Sequence, residues 1–88
     1  MTEEMKHVLM VARDDKLEAL RMAAGLTLLD DVVRVAVVGE LDESSGDVQL
    51  QMEALEFADV SLERLGDDDA GVRALAGMMI ESDTVFMI

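Results

Sequence analysis

Four acidic residues stand where an α/β protein could bind a cation. Asp14 and Asp15 follow the first apolar segment of the chain, Glu40 follows the second, and Asp67 follows a third segment of alternating polarity. In open parallel sheets, ligands bind beyond the carboxyl ends of the strands, and carboxylate oxygens are the ligands that Mg²⁺ prefers. The pattern predicts a small-ligand or Mg²⁺ pocket at the strand ends, with Asp14, Asp15 and Asp67 as metal ligands.

The same carboxylates have a simpler interpretation as helix caps and solubilising charge, because N-caps and first turns of helices recruit Asp. A phospho-receiver domain is a further alternative, since Asp14, Asp15 and Asp67 resemble its acidic pair and its phosphorylated Asp. Receiver domains are longer, however, and carry a Lys at the end of the last strand. Lys6 and Lys16 are the only lysines in this sequence, so the receiver interpretation is the less favoured one.

The sequence contains no pattern for nucleophilic or cofactor-dependent catalysis. It has no cysteine, which excludes a thiol nucleophile, a disulfide framework and a Cys-ligated metal site. Its single histidine, His7, begins the first predicted strand, at the end of the sheet opposite to the expected ligand site. We therefore expect His7 to be a structural or surface residue. The glycine spacing matches neither a dinucleotide-binding nor a Walker motif, so no catalytic residue and no cofactor are predicted.

The charge balance excludes two classes of partner. Lys plus Arg number 7 and Asp plus Glu number 20 in 88 residues, giving a formal net charge of −13. Nucleic acids and anionic membranes both require clustered basic residues. The apolar runs are far shorter than the roughly 20 residues of a membrane span, and the first residues lack the basic start of a signal peptide. We expect a single cytoplasmic domain over residues 1–88.

Strands and helices are expected to alternate along the chain. Short β-branched runs bounded by Asp or Gly indicate strands, and longer segments rich in Ala, Leu and Met indicate helices. Strict alternation predicts a three-layer α/β/α sandwich around a mostly parallel four-stranded sheet. The predicted strands cover residues 7–12, 32–38, 59–65 and 84–88, and the predicted helices cover residues 16–29, 48–58 and 70–81.

Two helix details follow from the pattern. Asp47 is the expected N-cap of the second helix, and the last Asp of the triplet 67–69 is the expected cap of the third. Helical periodicity favours a buried face on the third helix, formed by Val72, Leu75, Ala76 and Met79.

The first helix is apolar around most of its circumference. A helix that only covers its own sheet needs an apolar stripe little more than 100° wide, so the excess must be covered by a neighbouring helix or by another subunit. We predict that this helix and one methionine of the third helix form a subunit interface, through Leu17, Leu20, Met22, Leu26, Leu29 and Met78.

Three segments together resemble a known family. The strand KHVLMVA, the segment LEALRMAAGLTLLDDVVRVAVVGE and the final ESDTVFMI are similar to the DsrE/DsrF-like sulfur-relay proteins, which include the TusBCD-like subunits. The resemblance implies an α/β/α sandwich that forms trimers or hexamers, either from one chain or from related subunits. It also implies a role in handling sulfur as a cysteine persulfide.

The absence of cysteine separates this chain from the catalytic members of that family. Persulfide transfer requires a thiolate sulfur, so no catalytic residue is carried over from the resemblance. The sequence resembles a cysteine-free subunit with a structural or accessory role in sulfur relay. The alternative function is the small-ligand or Mg²⁺-binding module with an acidic pocket at the strand ends.

Overall fold

Strands and helices alternate through the part of the chain that the structure describes. The computed structural model describes residues 6–28 and 32–88. The elements are β1 (His7–Ala12), α1 (Lys16–Leu26), β2 (Val32–Val38), α2 (Gly46–Phe57), β3 (Ser61–Leu65), α3 (Asp69–Glu81) and β4 (Thr84–Met87). All pairs of neighbouring strands are parallel, and the order across the sheet is β3-β2-β1-β4. The predicted three-layer α/β sandwich is confirmed.

The two inner strands form the centre of the core. β1 and β2 pair along their lengths, with Met10 opposite Val35. Every residue of β1 after His7 is buried, as expected for an apolar strand that is covered on both faces. The outer strand β3 is partly or fully exposed throughout, and its polar composition predicts that position. The apolar runs of the sequence therefore identify the inner strands of the sheet.

The helices divide between the two faces of the sheet. Alternate side chains of a strand point to opposite faces. Met10 and Val35 pack in one cluster with α1 and α2. Leu9 and Ala36 pack in a second cluster with Met78 of α3. The sheet thus has two helices on one face, called here the front face, and one helix on the back face.

The wide apolar surface of α1 is covered in part by a neighbouring helix. α1 packs against α2 as well as against β1 and β2. Its buried residues are Ala19, Leu20 and Ala23, while Leu17 and Ala24 are partly buried in the same cluster. The small side chains on α1 permit this close packing between helices. The sequence predicted that either a neighbouring helix or another subunit packs on the apolar surface of α1, and α2 is that neighbouring helix.

Two predicted helix caps are wrong by one or two residues. Ser45, not Asp47, caps α2, with its side chain accepting a bond from the Val48 N–H. Asp68, not Asp69, caps α3, and its Oδ1 accepts the Gly71 N–H at 2.8 Å. In both cases an earlier residue with a suitable oxygen starts the helix. Asp47 and Asp69 instead lie in the first turn, where negative charge is also favourable.

The buried face of α3 differs from the prediction. Gly71 and Met78 are its buried residues, whereas Val72 is 61 % exposed and Met79 is 38 % exposed. Ala76 is exposed as well. The cause is a close approach of the chain to itself, because a Cβ atom added at Gly71 would lie 1.7 Å from the Gly66 carbonyl oxygen. Close backbone contact sets the rotation of α3 and leaves part of its apolar stripe facing solvent.

Within residues 6–28 and 32–88, no helix has the length and apolar character needed to cross a membrane.

Candidate functional site

Backbone and side-chain groups of the loop after β1 form hydrogen bonds with other parts of the same chain. Asp15 caps α1 by accepting the Glu18 N–H at 3.2 Å. The N–H groups of Arg13 and Asp14 both donate to the Ile88 carbonyl oxygen, at 2.8 and 3.0 Å. In this strand order, β1 and β4 flank the point where the connections change direction, and α/β proteins bind ligands in that crevice. Here the backbone of Ile88 lies across it.

The predicted metal ligands come from strands that are not neighbours. Asp67 follows β3, and β2 separates β3 from β1, which precedes Asp14 and Asp15. Neighbouring strands are about 4.8 Å apart, so the starting points of these loops are about 10 Å apart. Over the described ranges, no three Asp, Glu or His side chains form a group that could hold a metal ion. Glu40 is exposed, and it follows Gly39, which comes directly after β2 and has a φ of 83°.

This separation leads to a prediction about Mg²⁺. Adding Mg²⁺ should leave the melting temperature unchanged relative to NaCl of matched ionic strength, since a chain of net charge −13 responds to any cation by screening. Thermal unfolding with each salt measures the difference. A rise specific to Mg²⁺ that is lost in Asp14→Asn would contradict the prediction and support the acidic pocket.

A shallow groove lies beside the outer strand β3, where sequence patterns gave no indication of a site. Its volume is about 460 Å³, within the range of small-ligand sites. Its lining combines apolar side chains from α2 and β3 with charged ones, namely Met52, Leu55, Val60 and Leu62 with Glu56, Asp59 and Arg64. The groove has the composition of a binding surface, and it lies on the α2 side of the sheet, away from Asp14 and Asp15.

The predicted interface residues divide into core and surface. Leu20 is fully buried and Met78 is 5 % exposed, so both belong to the core of the monomer and are unavailable to a partner. Leu17 and Leu26 are partly buried against the front cluster. Met22 is 36 % exposed. Leu29 lies outside the described residues. The apolar pattern of α1 and α3 does not separate residues that face the sheet from those that face solvent.

Several large apolar side chains that the sequence assigned to no partner are exposed. On α2, Leu50 and Phe57 are 60 % and 94 % exposed. They are seven residues apart, which places them on one outward face. On α3, Val72 and Ile80 are 61 % and 85 % exposed, and Met87 of β4 is 48 % exposed. Single exposed apolar residues are ordinary, but groups of them mark interaction surfaces.

The charged residues of the sheet pair with one another. Arg34 of β2 contacts Glu63 of the neighbouring strand at 3.6 Å and Glu81 of α3 at 3.0 Å. Arg64 pairs with Glu43. These pairs lie around β2 and β3. They connect β2 to α3 and β3 to the loop before α2, so these charged groups are paired with one another.

His7 has a structural position at the amino end of the sheet. Its backbone N–H donates to Asp83 Oδ2 at 2.8 Å, and its carbonyl accepts the Asp83 N–H at the same distance. The backbone of His7 therefore joins the start of β1 to the start of β4, and its side chain is exposed.

Comparison of the chain with family models, curated proteins and solved structures gave no match. The similarity to DsrE-like proteins rests on the sequence pattern and stays a prediction.

Proposed function

We propose that this protein acts by association, as a non-catalytic subunit of an oligomer. The oligomer is either a homo-oligomer, such as a trimer or hexamer, or an assembly with related subunits. The observation that carries the proposal is the exposure of apolar side chains on α3 and β4 of a chain whose core is small. Domains of this size bury only about 60–65 % of the surface of their unfolded chains, so covering further apolar area adds substantially to stability.

From the DsrE-like sequence pattern, we further infer that the assembly acts in cytoplasmic sulfur relay. Without a cysteine, this chain cannot carry a persulfide. The sulfur is carried on a cysteine of a partner subunit, and this chain supplies shape and contact surface to the assembly. Binding of a small ligand in the β3 groove is the second candidate function, supported by its volume and mixed lining.

Sedimentation velocity of the purified protein over a dilution series tests the association. We expect a species larger than the monomer at micromolar concentration. Its dissociation should shift to lower protein concentration as NaCl is raised, because each copy carries a charge of −13 and salt screens the repulsion between copies.

The sulfur-relay part has a separate test. The tagged protein is isolated from its own cells under mild conditions, and the thiols of the isolated complex are labelled for persulfide. A stoichiometric partner with a persulfidated cysteine supports the proposal. A protein that is monomeric at all concentrations and isolated without a stoichiometric partner contradicts it.

A further inference from the structure

The strand β4 lies at one edge of the sheet, where it pairs with β1 on one side. Among the described elements, β1 is the one that packs extensively against β4, and no helix does so. Phe86 lies opposite Met10 and therefore points to the front face, while Val85 and Met87 point to the back face. Phe86 is 37 % exposed and Met87 is 48 % exposed. Within residues 6–28 and 32–88, the outer edge of β4 is therefore unpaired, and Phe86 on the front face and Met87 on the back face are partly exposed.

The two edges of the sheet differ in charge. The β3 edge carries Glu63 and Arg64, both exposed, and charged residues on an edge strand prevent pairing with another chain. The β4 edge, residues 84–88, carries no charged side chain. In a chain with 20 acidic residues, copies repel one another over most of the surface. A surface that meets its own copy must avoid these charges, and the side chains of the β4 edge do so.

The helices on either side extend the uncharged surface. On α1, Met22 and Leu26 lie on the flank opposite to Leu17 and Ala24. A right-handed β1–α1–β2 crossover turns that flank toward β4. The same geometry turns Met79, near the end of α3 that precedes β4, toward β4 on the back face.

The exposed apolar residues therefore converge on one surface from both faces of the sheet. We call this surface the β4 surface; its residues are Met22, Met79, Val85, Phe86 and Met87. A stable interface buries about 800 Å² on each partner. A strand of four residues alone is too small to bury that area. The apolar helix faces on its two sides add to the area that a partner can bury.

The hydrogen-bonding pattern of β4 defines how a second copy would pair. The Ile88 N–H donates to the Val11 carbonyl oxygen, and alternate residues of a strand direct their backbone groups to opposite sides. Val85 and Met87 therefore direct their N–H and C=O groups away from β1. In an antiparallel pair centred on Phe86, Val85 of each copy exchanges hydrogen bonds with Met87 of the other.

The same arrangement is self-complementary in its side chains. Phe86 of one copy faces Phe86 of the second on the front face, and an aromatic cross-strand pair is favourable. Val85 faces Met87 on the back face. Asp83 lies before the paired residues, and its carboxylate is held by the His7 N–H at 2.8 Å. The side chains that meet across the axis are therefore apolar.

We infer that the β4 surface binds a second copy of this chain by antiparallel pairing of the two β4 strands about a two-fold axis. The result is a continuous eight-stranded sheet with the β3 edges outermost. This inference rests on the proposed function and specifies its contact. Combined with a three-fold contact elsewhere, the two-fold contact gives a hexamer, whereas a trimer with only three-fold symmetry does not contain it.

Engineered cysteines give the sharpest test, because the natural chain has none. In Phe86→Cys, the two sulfurs face each other across the axis at a Cα separation of about 4.5 Å, which suits a disulfide. In the control Val85→Cys, the equivalent residues are diagonal neighbours about 7–8 Å apart, which is too far for one. Under mild oxidation, Phe86→Cys should form covalent dimers in high yield and Val85→Cys should not.

A charge exchange at the same position tests the pairing without oxidation. Phe86→Glu and Phe86→Lys each place like charges face to face, and the dissociation constant of the two-fold contact should rise by roughly 100-fold or more. An equimolar mixture of the two variants should recover the dimer, because Lys then faces Glu. The control Phe57→Glu makes the same change at a residue that is 94 % exposed on α2, away from β4, and should leave the dissociation constant of the two-fold contact unchanged. Circular dichroism of each variant checks that it is folded.

The outcomes separate this inference from the proposed function. Cross-linking of Phe86→Cys alone and recovery in the mixture support the two-fold contact. If the natural protein forms oligomers but Phe86→Cys does not cross-link preferentially, the β4 contact is wrong while association stands. A trimer without two-fold symmetry, or a monomer isolated with a stoichiometric persulfide-bearing partner, likewise overturns the β4 contact and leaves association standing. A protein that is monomeric and isolated without such a partner overturns both.

Discussion

Gly71→Ala should destabilise the protein by about 3 kcal/mol or more, although Ala favours a helix over Gly by about 1 kcal/mol. Gly71 is buried in the first turn of α3, and an added Cβ would lie 1.7 Å from the Gly66 carbonyl oxygen and 2.7 Å from the Gly66 carbonyl carbon. These are backbone atoms, so no side-chain rotation relieves the overlap. Either α3 or the loop before it must move, which also disturbs the Asp68 cap.

Gly77→Ala is the matched control for this substitution. Gly77 lies in the same helix, is exposed, and has no atom within 4 Å of an added Cβ. Its replacement should raise the free energy of unfolding by up to about 1 kcal/mol. Urea unfolding of both variants at one protein concentration measures the two effects. Equal effects of the two substitutions would show that α3 does not contact the Gly66 backbone in this way.

Leu20→Ala should lower the free energy of unfolding by about 3 kcal/mol, within the range of about 2–5 kcal/mol for buried leucines. Leu20 is fully buried in the front cluster, where α1 packs on the sheet and on α2. The substitution removes apolar contacts and leaves a cavity between three elements. In a domain of this size, such a loss is a large fraction of the total stability.

The concentration dependence of this loss separates a core residue from an interface residue. The destabilisation by Leu20→Ala should persist on dilution, since the lost contacts lie within one chain. Leu50→Ala, the same change at a residue that is 60 % exposed on α2, should alter stability by no more than about 0.5 kcal/mol. Urea unfolding at high and low protein concentration checks both. If the destabilisation by Leu20→Ala disappears on dilution, Leu20 lies in a subunit interface and the assignment to the core is wrong.

The elements with strong local patterns were predictable from the sequence. The β-branched run of β2 matches the predicted boundaries, Val32–Val38. The apolar run of β1 correctly indicated a strand covered on both faces. Local composition determines these features because an inner strand of a parallel sheet has no polar face.

Features that depend on contacts between distant residues were not predictable in this way. Periodicity favoured Val72 and Met79 on the buried face of α3, but the approach of Gly71 to Gly66 turned the helix. No prediction was based on Gly71, although a glycine in the first turn of a predicted helix is compatible with a close approach of the backbone. The strand order is likewise non-local, and it determines that Asp67 lies two strands away from Asp14. The groove beside β3 depends on how α2 crosses the sheet, which no sequence motif specifies.

The strand order also has a consequence for the rate of folding. β1 pairs with β4, and the hydrogen bond between His7 and Asp83 joins residues 76 positions apart. The units β1–α1–β2 and β2–α2–β3 close over short loops, whereas the β1–β4 pairing must close over most of the chain. Such non-local pairings slow folding. During synthesis, one side of the most apolar strand therefore stays unpaired until β4 has left the ribosome, and in that interval the chain is most exposed to aggregation.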